Sequence, residues 1–176
     1  MNSTQIQKEL RQHFGNYDYM LLNSFIFNWE SDYFCISKSG YTVEVEVKIS
    51  KGDFKADFRK TTGSGINKHL FLSSPDKLRK PNRFFFACPE NLIMPDEIPK
   101  EYGLIWIKQR MIGNVKYTNS EIIRDAKFLH KTKIFNDLHL VRQLMNKFYY
   151  RNIELRQALN IDEFDIKYKQ KRIEFY

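Results

Sequence analysis

Hydrophobic positions along the chain change period several times, and each change marks an element. Ile6, Leu10 and Phe14 recur at helical spacing within residues 3–14, behind a capping Ser3 or Thr4, which predicts a first helix with one apolar stripe. Residues 19–29 are dense in aromatic and aliphatic side chains and read as a strand, as do residues 32–37 and 41–49 on either side of Lys38-Ser39-Gly40. Phe54 and Phe58 stand four apart, and Ser50 followed by Asp53 gives a capping-box-like start, so residues 50–60 are expected to be helical. Residues 61–68 form a glycine-containing loop, with a short helix expected near Ser74–Lys80 and Pro75 in its first turn. Arg83–Cys88 and Leu104–Ile107 are continuous apolar runs whose length and aromatic content favour buried strands, the second extended by a hairpin through Gly113. Pro89–Lys100, with three prolines, separates them as a loop. From Ser120 the pattern turns helical, first over Glu121–Lys131 and then over about Asn136–Leu159. This order predicts an α/β (or α+β) domain with a central mixed β-sheet flanked by helices. Residues 1–119 would form that domain, and residues 120–176 a C-terminal helical extension packed on it.

The composition narrows the class of protein. A chain of 176 residues with 42% hydrophobic and 28% charged residues can bury its own core and is not disordered in character. The net charge of +8 attracts polyanions, namely DNA, RNA or an anionic membrane. The N-terminal stretch is polar and helical in pattern rather than signal-like, and no apolar run of about 18 residues occurs. Nucleic acid is therefore the favoured polyanion, with no membrane partner and a cytoplasmic location expected. The two cysteines, Cys35 and Cys88, lie in apolar surroundings and read as buried reduced thiols. Trp29 and Trp106 fall in predicted strands and read as core.

Candidate chemistry is concentrated on one strand. From Tyr41 to Ile49 the residues alternate strictly: Val43, Val45, Val47 and Ile49 on one face, Thr42, Glu44, Glu46 and Lys48 on the other. A three-residue turn at Lys38-Ser39-Gly40, ending in a left-handed glycine, sets Ser37 opposite Tyr41. Counting back, Asp32 falls opposite Glu46. Directly opposed carboxylates destabilise each other unless a cation lies between them. Hard oxygen ligands suit Mg²⁺ or Mn²⁺. Lys48, two residues beyond Glu46 on the same face, is placed to stabilise charge developing on a phosphate. Carboxylate, carboxylate, lysine and metal suffice for phosphodiester hydrolysis. A register slip would instead recruit Glu30 or Glu44.

Between Lys51 and Arg83 stand nine basic residues against three acids, +6 of the chain's +8. Lys51, Lys55, Arg59, Lys60, Lys68, Lys80 and Arg83 are candidates for holding a phosphate backbone. Asp53 reads as the capping partner of Ser50, and Asp57 as a partner of Lys60 or Lys51.

Asp32 followed fourteen positions on by Glu46-Val47-Lys48 resembles the core of the PD-(D/E)xK nuclease superfamily. Ser50-Lys51-Gly52-Asp53-Phe54-Lys55-Ala56-Asp57 is similar to its MmcB-like DNA-repair branch, as are Lys68-His69, Pro81 to Phe86 and Gly103 to Ile105. The resemblance spans about Gln5 to Ile107. It implies a restriction-endonuclease-like core of helix, three strands, helix and further strand. It also implies Asp32 and Glu46 as metal ligands and Lys48 as catalytic. Glu9, the acid of the first helix, would be a further catalytic carboxylate, and His69 a contact to the scissile phosphate. Ser31 stands where the family often has proline.

Three functions compete at this stage. The first is a metal-dependent deoxyribonuclease of repair, recombination, restriction or phage replication. The second is a non-catalytic nucleic-acid-binding module on the same fold. The third is an interaction subunit, since the C-terminal helices carry enough apolar residues for a homodimer seam.

Overall fold

A computed structural model describes residues 1–17, 19–75, 79–134 and 138–159. The chain forms two compact units, Met1–Leu140 and a second from Val141 onward. The first unit is built on six strands: β1 (Tyr19–Phe25), β2 (Glu30–Ile36), β3 (Thr42–Val47), β4 (Arg83–Pro89), β5 (Gly103–Ile112) and β6 (Val115–Arg124). They lie side by side in sequence order in one mixed sheet. β1, β2 and β3 form an antiparallel meander, β4 runs parallel to β3, β5 parallel to β4, and β6 returns antiparallel to β5. Helices α1 (Ser3–His13), α2 (Lys51–Asp57) and α3 (Lys68–Ser73) complete the unit.

The period-2 pattern of β3 divides the protein into two layers. Val43, Val45 and Val47 join Tyr33, Cys35, Phe85, Ala87, Ile105 and Ile107 beneath Ile6 and Leu10 of α1 and Phe14 just after it, a largely apolar interface. The opposite face carries Glu44, Glu46 and Lys48, all buried. Phe54 and Phe58 of α2, with His69 of α3, cover that face by ring contacts to Phe84 and Phe86. The polar side of β3 is thus interior, not a solvated strand face. Both cysteines are free and buried.

Local signals explain the helix starts. Asn2, rather than Ser3 or Thr4, caps α1, in a reciprocal capping box with Gln5. The Ser50 hydroxyl accepts the Asp53 N–H at 3.1 Å and starts α2. The short helix after the loop begins earlier than expected, at Lys68, because the Asn67 side chain accepts the N–H groups of both His69 and Leu70. Of the expected helix near Ser74–Lys80, Ser74, Pro75, Arg79 and Lys80 are non-helical, and residues 76–78 lie outside the described residues.

The expected helix over Glu121–Lys131 is replaced by the end of β6. Ser120, Glu121 and Ile122 pair with Ile107, Trp106 and Ile105, and residues 125–131 are irregular. Ladder pairing to the buried strand β5 outweighs the helical pattern expected from Ser120 onward. The hairpin turns at Gly113, in the left-handed region, as expected. A domain boundary at 119/120 would therefore cut a strand. Arg124, at the end of β6, donates to the carbonyls of Tyr102, Pro95 and Ile98 and fastens the β4–β5 connection. The second unit holds most of α4 (Leu138–Ala158), on which Met145, Tyr149, Tyr150 and Leu155 are exposed. Among the described residues no helix is long and apolar enough to cross a membrane.

Candidate functional site

The hairpin register follows the turn chemistry. Gly40, at φ 84°, closes a turn in which the Ser37 N–H donates to the Tyr41 carbonyl. The ladder then runs Ile36 to Thr42, Cys35 to Val43, Phe34 to Glu44 and Tyr33 to Val45, so Asp32 comes next, level with Glu46. At that level the ladder opens. Asp32 Oδ2 accepts the Val47 N–H at 2.8 Å. On the other side of β2 the pairing with β1 skips Asn23, which lies at φ 46°. Gln7 of α1 fills the gap: its Nε2 donates to the Asp32 carbonyl at 2.9 Å and to Asn23 Oδ1 at 2.8 Å. Sheet and helix thus hold Asp32 from both sides.

A cleft of about 260 Å³ lies in front of it, lined by Gln7, Asn23, Asp32, Val47, Lys48, Asp53 and Lys60 among others. Among the described residues Asp32 Oδ1 has no hydrogen-bond partner. Burial, and then repulsion from Glu46, push the Asp32 carboxyl up to about 7.

Behind the cleft is a buried ion cluster. Lys48 Nζ lies 3.0 Å from Glu46 Oε2 and 2.7 Å from Asp57 Oδ1, with Asp53 at 3.9 Å. Lys60 Nζ bridges the same two oxygens at 2.9 and 2.8 Å. Lys68 Nζ joins Glu44 and Glu46, and packs over the Phe84 ring. Asp57 Oδ2 bonds His69 Nε2 at 2.9 Å, and His69 Nδ1 meets the Tyr102 hydroxyl at 3.1 Å. The Trp29 indole donates to Glu44 Oε1, while the buried Glu44 Oε2 has no hydrogen-bond partner among the described residues.

The surroundings divide the acids into two kinds. Burial opposes the ionisation of Glu46, but Lys68, Lys48 and Lys60 hold it below the usual carboxylate range. Asp57 is held low in the same way, by its His69 hydrogen bond and the lysines prevailing over burial. Glu44 goes the other way, raised mainly by burial. Lys68 is raised despite burial, by Glu44 and Glu46.

No known protein-family model matches this chain, and no curated protein matches it. Among solved structures, SPO1766, a protein of unknown function from Silicibacter pomeroyi, is similar. Its TM-score is 0.55 at 19% identity, over 93% of this chain and 94% of that one. That likeness concerns the fold alone.

Of the residues singled out in the sequence, Asp32, Glu46, Lys48 and Lys60 come together here. Glu44 joins the cluster, while Glu30 is exposed at the start of β2. Glu9 does not line the cleft, and Gln7, two residues earlier on α1, does. The basic candidates separate by burial. Lys55 and Arg59 are exposed on or beside α2, Lys51 pairs with Glu97, and Arg83 pairs with Asp125. Lys68 and Lys80 are buried, Lys68 in the ion cluster and Lys80 donating to the carbonyls of Leu72 and Ser74. His69 is buried between Asp57 and Tyr102. As placed, these three cannot reach a phosphate backbone, because each is spent on an internal partner.

Sequence reasoning gave Asp57 too small a part. Its signal was its place on the Phe54–Phe58 face of α2, where i+3 spacing turns a carboxylate inward. Gln7, Trp29 and Tyr102 carry no such signal, because each reaches the site by tertiary packing.

Proposed function

We propose that this protein is a metal-dependent nuclease that hydrolyses phosphodiester bonds in DNA at the cleft beside Asp32. The observation that carries the reading is the Asp32 carboxyl, raised to about 7, with one oxygen unpartnered among the described residues, in the wall of a cleft that Lys48 and Lys60 also line. The order α1, three strands, α2 and, after the short α3, β4 also supports the reading, because the PD-(D/E)xK resemblance implies helix, three strands, helix and further strand.

The donor set fits a hard divalent cation. Five carboxyl groups (Asp32, Glu44, Glu46, Asp53 and Asp57) face three ammoniums (Lys48, Lys60 and Lys68); Asp32 and Glu44 are raised, so a bound cation would favour their ionised forms and balance the negative charge that results. Among the described residues Asp32 Oδ1 has no hydrogen-bond partner, and Glu46 would be the second ligand if Lys60, 44% exposed, left Oε2 to Lys48 alone. Among the described residues no group of three His, Cys, Asp or Glu side chains is arranged around one point. Two carboxylates with water and substrate oxygens are, however, a common Mg²⁺ environment. When bound, such an ion polarises the phosphoryl oxygen and lowers the pKa of a water. The chain's own residues do the rest. Gln7 and the Val47 N–H orient Asp32, Glu46 and Asp57 fix the Lys48 ammonium, and Lys55 and Arg59 offer exposed positive charge to the DNA backbone.

The test is cleavage of linear, circular and single-stranded DNA with Mg²⁺ or Mn²⁺ and with EDTA. Asp32→Asn is the control, because this variant keeps the shape and the Val47 contact. Metal-dependent cutting absent from the control is expected. Equal cutting by the variant would remove Asp32 from the site. A second reading, a binding module that does not cut, is favoured by one observation: both Glu46 oxygens are engaged by ammoniums. DNA binding with a steep salt dependence, and no product with any metal, would select it.

A further inference from the structure

A second hollow, of about 610 Å³, opens next to the cleft and shares Thr4 and Gln7 with it. Its walls have two characters. Lys8 and Arg11 of α1 stand three apart and are exposed, while Met20 and Leu22 of β1 supply an apolar side. Tyr33 lies at its base, and the Tyr33 hydroxyl is buried without a hydrogen-bond partner. Among the described residues that hydroxyl has no partner, which is a cost to the free protein that a ligand oxygen reaching it would remove.

We propose that this hollow is a nucleotide subsite. It would take the nucleotide next to the phosphodiester held at Asp32, and it rests on the nuclease reading for that adjacency. The chemistry of the walls matches the ligand part by part. Arg11 and Lys8 take the outer phosphate, Arg11 through paired N–H donors. Met20 and Leu22 lie against the base or sugar, and the Tyr33 hydroxyl gains an oxygen partner. The volume lies within the range of small-molecule sites. Thr4 and Gln7, common to both hollows, set the step from one phosphate to the next.

The probe is thymidine 3′,5′-bisphosphate, titrated in EDTA into the ¹⁵N-labelled full chain, so that no metal chemistry enters. Amide shifts are expected to cluster at Thr4, Lys8, Arg11, Met20, Leu22 and Tyr33. Arg11→Ala is expected to weaken binding about tenfold, the effect of losing one charge-assisted contact. Tyr33→Phe separates a ligand contact from a structural role. It removes an unsatisfied group, so the melting temperature holds or rises while affinity for the bisphosphate falls. Shifts confined to α2, or absent, would overturn the subsite. So would a Tyr33→Phe variant that binds as the wild type does. Bisphosphate seated in the hollow of a protein that cuts no DNA would support the subsite and overturn the nuclease reading. Cutting by a protein whose hollow ignores the bisphosphate would do the reverse.

Discussion

Asp32→Asn is the perturbation whose sign separates a site awaiting a cation from an ordinary structural carboxylate. In the folded protein the Asp32 carboxyl titrates near 7, against an ordinary value of 3.8. Its folded pKa is raised, so the native state holds a proton that the unfolded chain releases between those values. Stability therefore falls as pH rises from about 4 to about 7, and the full cost is present above that window. At 1.36 kcal/mol per pH unit the interval corresponds to about 4 kcal/mol, and water at the cleft reduces this to about 2–4 kcal/mol. Asparagine cannot ionise, yet it still offers an oxygen to the Val47 N–H. In EDTA, urea unfolding should show the variant equal to wild type near pH 4 and about 2–4 kcal/mol more stable at pH 8. Excess Mn²⁺ should then stabilise wild type, by about 2.7 kcal/mol at a hundred times its Kd, and leave the variant unmoved. Parallel stability curves across the pH range, or a variant weaker at pH 8, would refute the reasoning. Asp32 would then be a satisfied structural acid and not an open ligand.

Three further substitutions probe the surroundings. Lys60→Met leaves Lys48 as the one ammonium on Glu46 Oε2 among the described residues and should tighten Mn²⁺ binding several-fold by calorimetry, whereas unchanged or weaker binding would mean that Lys60 does not hold the metal position. Asp57→Asn leaves Lys48 and Lys60 short of a buried counter-charge and should cost about 3–5 kcal/mol at pH 7. Asp57 is held low in the folded state, so its contribution is present above the ordinary carboxylate range and fades as the solution is acidified through it; a loss under about 1 kcal/mol at pH 7 would show the cluster to be dispensable. At Gly103 an added Cβ would lie 2.1 Å from Phe85 Cδ1 and 2.9 Å from the Ala126 nitrogen, so Gly103→Ala should destabilise by at least about 1–3 kcal/mol in thermal unfolding. Wild-type stability in that variant would mean that the β4–β5 contact gives way easily.

What the sequence made legible follows the range of the interactions. The β2–β3 hairpin could be read because Gly40 fixes the turn and the turn fixes the register, so Asp32 and Glu46 could be placed level from a count of residues. The two faces of β3 were equally plain from alternation. What covers the charged face was not, because the α2 and α3 helices that bury it are short, seven and six residues, and gain their stability from packing on the sheet. Lys68 and Lys80 thus looked like surface charge within a basic run. Burial is a tertiary property, and a run of charges says nothing about which of them turns inward. The helix expected over Glu121–Lys131 failed for a related reason: Ser120 to Arg124 completes a ladder on β5, a pairing that local pattern does not reveal. Glu9 was the acid of α1, yet helix phase brings Gln7 to Asp32.

The buried ion cluster points to work at the cleft more than to stability. Taking ions out of water is costly, and apolar side chains of similar volume are often as stable or more so. The neighbours Phe34, Phe84 and Phe86 show that this layer of the sheet packs well with rings. What rings cannot supply is fixed charge. Lys48 is wholly buried and held by Glu46, Asp57 and Asp53, so its ammonium has no need to reorganise as negative charge develops in the cleft. Lys60 shares two of those partners but is 44% exposed, so it can move. The two lysines therefore differ in role: Lys48 is a fixed field, and Lys60 is a displaceable counter-ion. Lys48→Met should then lower kcat for DNA cleavage by about 10²–10³ with little change in KM, the pattern of a group felt mainly in the transition state. Its fold can be checked by unfolding, since Lys60 remains between Glu46 and Asp57. A rise in KM at constant kcat would instead make Lys48 a ground-state contact to the DNA, and the fixed-field role would be lost.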